Sequence, residues 1–450
     1  MRFPCAVALC GLILFAVVPA HGQQILWQFT NEVTEATFAR APAVGDDGTI
    51  YIGSAGGFGN ANKLYAVGPT GVKRWEFGTE IPVNTPATIG DDGTIYIGTR
   101  SPGKVIALNP DGTLKWDYNT GSVQVRDLAL GHDGTIYCRA SFSFSSPRTN
   151  FTKLYAINAE GSKKWEFRVS EELSDGSIMV NFDDTIFFGA GENSFVVNPD
   201  GTLYWSFPVG SGYRGAIGGD GTLYVSGYES GEGQVRLYAL NPDGTADWTF
   251  TAGDQPIVGV DGTIYVDLYA LSPQGLKLWE SNNGLRSSPR LASADGTLYG
   301  VDDGKLFALG PNGGLKWRLP LQTASFDGLP ALLPDGTLYV NSQTRLFAIK
   351  VPCGLANSSW PMEGRDVKRT SRAGLGMPVR PCLSALRLAG NRGFQFTLVG
   401  EIGSSYEVQT SGDLVGWAPL TNFVCSSLVT HFTDAMATNL SKRFYRAVSR

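Results

Sequence analysis

The sequence predicts an all-β protein: an eight-bladed β-propeller closed by its own N-terminal strand, followed by a small C-terminal β-sandwich-like domain. Three observations predict it. The first is a unit that recurs with drift. Lys104-Val105-Ile106-Ala107-Leu108 is followed by Asn109-Pro110-Asp111-Gly112 and then by Leu114-Lys115-Trp116-Asp117-Tyr118. Equivalent units lead from Leu64-Tyr65-Ala66 to Trp75, from Leu154-Tyr155-Ala156 to Trp165, from Leu237-Tyr238-Ala239 to Trp248 and from Leu306-Phe307-Ala308 to Trp317. Period-two alternation around a Pro/Asp/Gly turn reads as a β-hairpin. The second observation is another hairpin ahead of each unit. Its Asp-Gly-Thr mark begins at Asp47, Asp92, Asp133, Asp220, Asp261, Asp295 and Asp335, with Asp183-Asp184-Thr185 as a drifted copy. Asp184 replaces the glycine there, and Asp tolerates a left-handed backbone. Seven intervals separate Asp47 from Asp335, a period of about 41 residues; two hairpins per period make one four-stranded blade. The third observation is the placement of the tryptophans. Trp75, Trp116, Trp165, Trp205, Trp248, Trp279 and Trp317 each follow a hairpin strand, but the eighth copy, Arg345-Leu346-Phe347-Ala348-Ile349, lacks one. The missing strand is Ile25-Leu26-Trp27-Gln28-Phe29 at the other end of the chain. Closure of this kind removes an exposed edge. All eight tryptophans read as packing between blades.

Taken in order, residues 1–22 read as a secretory signal. Arg2 is its charged end, residues 6–18 are apolar and Ala20-His21-Gly22 offers small residues for cleavage. A retained anchor is the alternative, but the apolar run is short for a membrane span. Cys10 follows Leu9 directly and the apolar core continues past it, which does not suit lipid attachment. The expectation is an exported protein, secreted, periplasmic or cell-surface associated, with no transmembrane segment after cleavage. The propeller is assigned to residues 23–352.

Composition agrees. The 57 glycines and 17% charged residues suit a turn-rich β protein. A net charge of −5 and no Lys/Arg run exclude nucleic acid and anionic membranes as expected partners. After signal removal Cys138, Cys353, Cys382 and Cys425 remain, and four cysteines allow three pairings. Cys138 sits in a strand and reads as a small buried hydrophobe; one disulfide among the other three suits an oxidising compartment. Only His132 and His431 lie beyond the signal, and His132 falls in a turn. No nucleophile–base set, metal-spaced cluster or phosphate loop can be assembled. No catalytic residue and no metal ligand is assigned. Carboxylate-only catalysis needs no histidine, but the sequence does not single out a pair.

The unit Leu-Tyr-Ala-Leu-Asn-Pro-Asp-Gly-Thr-x-x-Trp resembles the pyrroloquinoline quinone (PQQ)-like propeller repeat. That repeat is shared by quinoprotein alcohol dehydrogenases and by the BamB-like scaffold of outer-membrane assembly. The resemblance covers residues 23–351. It implies the fold, and two activities: oxidation with PQQ and calcium, or protein scaffolding. Quinoprotein dehydrogenases typically carry an adjacent Cys-Cys pair, which this sequence lacks. The expectation is therefore no cofactor, with PQQ and calcium as the alternative.

The two faces of the propeller differ. The Asp-Gly-Thr and Pro-Asp-Gly turns are short and uniform. The opposite face has long loops at 54–62, 139–152 and 226–235, whereas Tyr265-Val266-Asp267-Leu268 has almost none. Variable loops on a rigid scaffold are where binding sits. Ahead of each innermost strand stands a polar residue: Arg40, Asn84, Arg126, Asp175, Arg214, Asp254, Arg286 and Asp327. If they point inward they ring the channel mouth with near-alternating charge. They form either a mutually paired plug or a site for an anionic or polyhydroxylated ligand. Residues 353–382 read as a strap and linker, with Trp360 in Ser358-Ser359-Trp360-Pro361-Met362 anchoring on the last blade. In residues 383–450, the motif from Tyr406-Glu407-Val408-Gln409 to Trp417, ending in Arg443-Phe444-Tyr445-Arg446, resembles a C-terminal β-module of secreted bacterial proteins.

The functional expectation is a non-enzymatic scaffold that binds a protein or envelope polymer through the variable-loop face. The alternatives are a PQQ-type oxidoreductase and a carbohydrate-active or carbohydrate-binding propeller. Grouped aromatics such as Phe142, Phe144 and Phe151 would favour a carbohydrate or polymer binder.

Overall fold

The computed structural model describes residues 24–449 except 31–36, 39–40, 56–61, 80, 146–147, 171–175, 210–213, 229–233, 322–328, 359, 363, 367–368, 371–381, 389–393, 400–404, 412–415, 425–428 and 435–443. The signal assigned to 1–22, Arg40, Asp175, Asp327 and Cys425 lie outside the described residues. The described residues form strands and turns, with no α-helix.

Between residues 24 and 350 the strands form antiparallel sheets that follow the repeat. A simple case runs Met179–Val180, Ile186–Ala190, Asn193–Val197, Leu203–Phe207, each strand paired with the next. Four-stranded sheets of the same order begin at Arg214–Ile217, Ile257–Val258 and Leu291–Ala292. In the first sheet both Thr37–Phe38 and Ala43–Val44 pair with Ile50–Ala55. Strand Leu114–Leu130 is long enough to pair with Arg100–Leu108 along its first part and with Ile136–Ser145 along its second. It therefore joins two repeats into one seven-stranded sheet. The final sheet holds Ala331–Leu332, Thr337–Asn341 and Arg345–Lys350, with Gln24–Thr30 antiparallel to the last of these.

Burial follows position in the sheet. Inner strands such as Met179–Val180 and Ile257–Val258 are buried on both faces. Outer strands alternate, with Trp165 and Phe167 half-buried between exposed neighbours, because one face of the outer strand meets water. Innermost strands of successive sheets lie beside one another. One apolar cluster joins the two ends of the repeat region: Ile50, Ile52 and Tyr65 pack with Leu338, Phe347 and Ile349.

Successive repeats interlock through one repeated contact. The indole N–H of Trp75 donates to the Pro110 carbonyl at 3.0 Å, and that of Trp116 to Ala159 at 2.8 Å. Trp165, Trp205, Trp248 and Trp279 do the same to Pro199, Pro242, Pro273 and Pro311 at 2.8–2.9 Å. Trp27 reaches Pro69 at 2.7 Å. Each indole also lies on the turn glycine of the next unit. A Cβ on Gly112 would stand 2.6 Å from Trp75, and one on Gly71 would stand 2.8 Å from Trp27. Except at Trp205, whose sheet has Phe187 at the equivalent position, the inner side of these indoles meets a tyrosine, as in Trp75–Tyr51 and Trp27–Tyr339, with centroids 5.7 Å apart.

The Asp-Gly-Thr turns are held by their aspartates. Asp133 accepts the Thr135 N–H at 2.9 Å, and Lys164 pairs with it at 2.9 Å. Arg74 pairs with Asp47, and Lys115 pairs with Asp92 at 3.2 Å. Asp184 adopts φ +62°, the left-handed backbone expected of it. Cys138 is a buried free thiol whose pKa burial pushes up, and Cys353 is disulfide-bonded.

Trp360 corrects one expectation. It does not anchor on the last sheet. It is 1% exposed and packs with Met179, Ala216, Ile217 and Val258 of the inner strands midway through the repeats. The strap around it bonds to inner strands of several sheets. The Trp360 carbonyl accepts from Val258, the Pro361 carbonyl from Ala292 and the Thr370 carbonyl from Leu130. The buried Arg369 donates to the carbonyls of Pro42 and Pro330. The strap thereby supplies acceptors along the inner edge of these strands.

The C-terminal module contains two three-stranded antiparallel sheets. One joins Cys382–Leu388, Phe394–Val399 and Val429–Asp434; the other joins Ala418–Val424, Ser405–Ser411 and Phe444–Ser449. Tyr406 and Val408 are its buried centre, and Tyr445 donates to Asp434 at 3.0 Å.

Two outcomes test these contacts. Gly112 and Gly134 both have positive φ, but only Gly112 faces an indole. Gly134→Ala should cost about 1–2 kcal/mol for the left-handed backbone, whereas Gly112→Ala should cost roughly 1–3 kcal/mol more through overpacking. Equal denaturation midpoints for the two variants would refute the interlock. The second outcome concerns acid. Burial works against ionisation of Asp133, but hydrogen bonds from Thr135 and Lys164 outweigh it and lower its pKa to about 2. Asp47 and Asp92 are lowered in the same way by Thr49 with Arg74 and by Thr94 with Lys115. The folded pKa lies below the unfolded value of about 3.9. Their stabilisation is therefore present above pH ~4 and is lost as pH falls towards 2. The melting temperature should be level from pH ~7 to 5 and decline below 4, and Asp133→Asn should make that decline shallower.

Candidate functional site

The face opposite the Asp-Gly-Thr turns is uneven because its hairpins differ in length. Strands Ile136–Ser145 and Arg148–Ile157 pair at ten positions, twice the five of Ile186–Ala190 with Asn193–Val197. The surplus projects away from the Asp-Gly-Thr end. On its outer part Phe142 stacks on Phe151 with centroids 4.6 Å apart and planes 8° from parallel, and Phe144 lies 5.9 Å from Phe151. Directly paired residues share a sheet face. The same face therefore carries Lys153 and, on strand Lys163–Val169, Arg168. The Arg168 guanidinium sits 4.0 Å from the Phe151 ring centre, a cation–π contact. Lys153 is engaged by Glu166 at 2.6 Å. Phe144 is 49% exposed and Arg168 is exposed, so the face ends in an aromatic and cationic tip.

The shortest hairpin leaves a hollow. Asp267 turns the chain at φ +48° between Ile264–Val266 and Tyr269–Leu271. Around it lies a cleft of about 500 Å³ lined by Asp254, Asp267, Tyr269, Glu280, Leu285, Arg286 and Ser288, among others. Asp254 is locked in place. Its Oδ1 accepts Arg290 Nη1 at 2.8 Å and the Gln255 N–H at 2.7 Å, and its Oδ2 accepts the Ser288 hydroxyl at 2.6 Å. Burial disfavours its charge, but Arg290 and these hydrogen bonds prevail, and its pKa is lowered. Asp267 goes the other way. Burial raises its pKa, opposed by the Gly253 N–H it accepts at 2.8 Å and reinforced by the Asp254 charge. Two neighbouring carboxyls pushed apart in this way mark a candidate site.

The ring of polar residues read from the sequence is partly represented. Asp254 and Arg286 come together on the cleft. Arg126 and Arg214 are exposed, Arg214 at the start of strand Arg214–Ile217. Asn84 is buried, and its amide donates to the Val125 carbonyl at 2.6 Å. Sequence reasoning missed Arg290, Ser288, Asp267 and Arg168. Only the shortness of the 265–268 loop hinted at the hollow. Nothing in the local sequence ties Asp254 to a partner 36 residues away.

Among the described residues no group of three His, Cys, Asp or Glu side chains is placed to hold a metal ion. The adjacent cysteine pair of quinoprotein dehydrogenases is absent from the sequence, and Cys138 is buried in a strand. Among the described residues no helix is long and apolar enough to cross a membrane.

Comparison with known proteins bears on the fold and the family. No curated protein matches the chain. Among solved structures, the chain is similar to BamB from Moraxella catarrhalis, at 16% identity and a TM-score of 0.55, over 73% of this chain and 98% of that one. The C-terminal WD40 domain of Sif2 aligns at 14% identity, a TM-score of 0.54 and the same two coverages. The Dos1 propeller aligns at 12% and 0.53, over 73% and 95%. At these identities the likeness shows a propeller fold and nothing finer. The family described as "Outer membrane protein assembly factor BamB" matches residues 13–134, 60–180 and 150–267 in overlapping registers, as a repeat does. These matches together span more than half of the sequence, and the chain belongs to that family.

Proposed function

We propose that the protein is an exported, non-enzymatic propeller that scaffolds a protein partner of the cell envelope through its variable-loop face. The observation that carries this is the double-length hairpin with its stacked phenyl rings. Phe144 stands 49% exposed at the tip, and Arg168 has no ion-pair partner among the described residues. A rigid aromatic and arginine patch is the composition of an interface hot spot. Arg126 and Arg214 are exposed on the same face and extend its positive character. The partner chemistry it fits is a segment combining an apolar side chain with a carboxylate. Membership of the BamB family supports an assembly role in the envelope.

The scaffold that holds this face is proposed as an eight-bladed ring closed by the N-terminal strand. The seven-stranded sheet counts as two blades joined through Leu114–Leu130. Gln24–Thr30 serves as the outer strand of the last blade, and its Trp27 reaches into the first.

Closure predicts that Trp27→Ala destabilises by about 3 kcal/mol, the scale of a tryptophan truncation. An unchanged melting temperature would reject it. Docking predicts that a photo-crosslinker in place of Phe144 gives a discrete adduct with an envelope protein, and that Arg168→Ala reduces the yield. A crosslinker in place of Asp111, on the opposite face, should give none. Absence of an adduct from Phe144, Arg126 and Arg214 alike would overturn the reading.

A further inference from the structure

The cleft beside Asp267 lies on a different sheet from the phenyl-stacked hairpin, and its chemistry is of a different kind. Its volume of about 500 Å³ suits a small molecule, because ligand sites commonly span roughly 300–1,000 Å³. The walls combine three functions. Leu268, Leu285 and Tyr269 supply apolar surface. Asp254 is held rigid by Arg290 and Ser288, so its position is set before any ligand arrives. Asp267 and Arg286 remain open. Asp267 is half-buried, yet no cation pairs with it among the described residues; its bonded neighbour is the Gly253 N–H. Arg286 is fixed by its backbone, whose N–H donates to the buried Asp302 at 3.1 Å, while its guanidinium has no ion pair among the described residues.

These features narrow the ligand class. A simple anion would meet Asp254, Asp267 and Glu280. A simple cation would meet Arg286, with Arg290 behind Asp254. An apolar molecule would bury carboxylates without donors, which is costly. A neutral molecule dense in hydroxyls satisfies every wall. Its O–H groups donate to the carboxylates, its oxygens accept from Arg286, and its C–H face lies on Leu285 and Tyr269.

We propose that this cleft binds a sugar ring of a neutral oligosaccharide. The assignment goes beyond the scaffold reading and uses neither the long hairpin nor Arg126 and Arg214, so either can fail without the other. Binding of cellotetraose, maltotetraose, mannotetraose, xylotetraose and chitotetraose to the purified full chain would be measured by titration calorimetry up to about 10 mM, a range that captures weak affinities. At least one should bind saturably. Asp267→Asn and Arg286→Ala should each weaken that binding about tenfold or more, the effect of removing one charged hydrogen-bond partner. Asn tolerates the left-handed backbone and keeps an acceptor for Gly253, so Asp267→Asn should melt as the parent does. Phe144→Ala should bind like the parent. Failure of all five sugars to bind would overturn the proposal. So would binding that survives both cleft variants, or binding lost in Phe144→Ala with the cleft intact.

Discussion

Everything in the repeat region depends on one contact, the indole that crosses from each outer strand to the turn of the next unit. It combines a hydrogen bond to a prolyl or alanyl carbonyl with close packing on a glycine. The hydrogen bond fixes the indole against the turn, and the missing Cβ lets the ring approach the backbone closely. Because the contact links one repeat to the next, the same packing recurs along the chain. The same contact made by Trp27 to Pro69 and Gly71 brings the ends of the repeat region together, with Ile50, Tyr65, Leu338 and Phe347 in one apolar cluster.

A frame built this way leaves its two ends with different duties. At one end the turns are nearly identical, each fixed by an aspartate that accepts from the threonine two residues on. At the other end the connections do not take part in the interlock and are free to vary. One extends into the phenyl-stacked hairpin. Another shortens to Asp267 and leaves a cleft. Across the inner strands the strap from Gly354 to Thr370 bonds to backbone groups of sheets far apart in sequence. Arg369 supplies donors to both Pro42 and Pro330. The strap is thus a second tie between the first and last sheets, independent of the indole contacts.

The two candidate surfaces follow from these unequal loops. The hairpin presents rigid rings and a guanidinium, which suits a folded partner. The cleft presents a fixed Asp254, an open Asp267 and Arg286 around an apolar wall, which suits a hydroxyl-rich small molecule. A protein that held both a partner and a glycan would join two envelope components through one rigid ring, and its own chain would need no reactive group to do so.

Most of the fold was legible because its determinants are local. Alternation, Asp-Gly-Thr turns and the spacing of the tryptophans are properties of adjacent residues, and even the left-handed backbone at Asp184 follows from the residue that replaced glycine. Strand Leu114–Leu130 was less legible, since nothing between Thr120 and Val125 marks a join of two sheets. The sequence by itself determined the repeat, the all-β class and the positions of the turns, since short-range sterics and hydrogen bonding decide those. Only the tertiary structure decided that Asp254 pairs with Arg290, that Phe142 and Phe151 stack, and that Trp360 inserts among inner strands midway through the repeats. Those contacts join residues on different strands or sheets, and their partners are chosen by where the ring places each chain segment rather than by the neighbours along it.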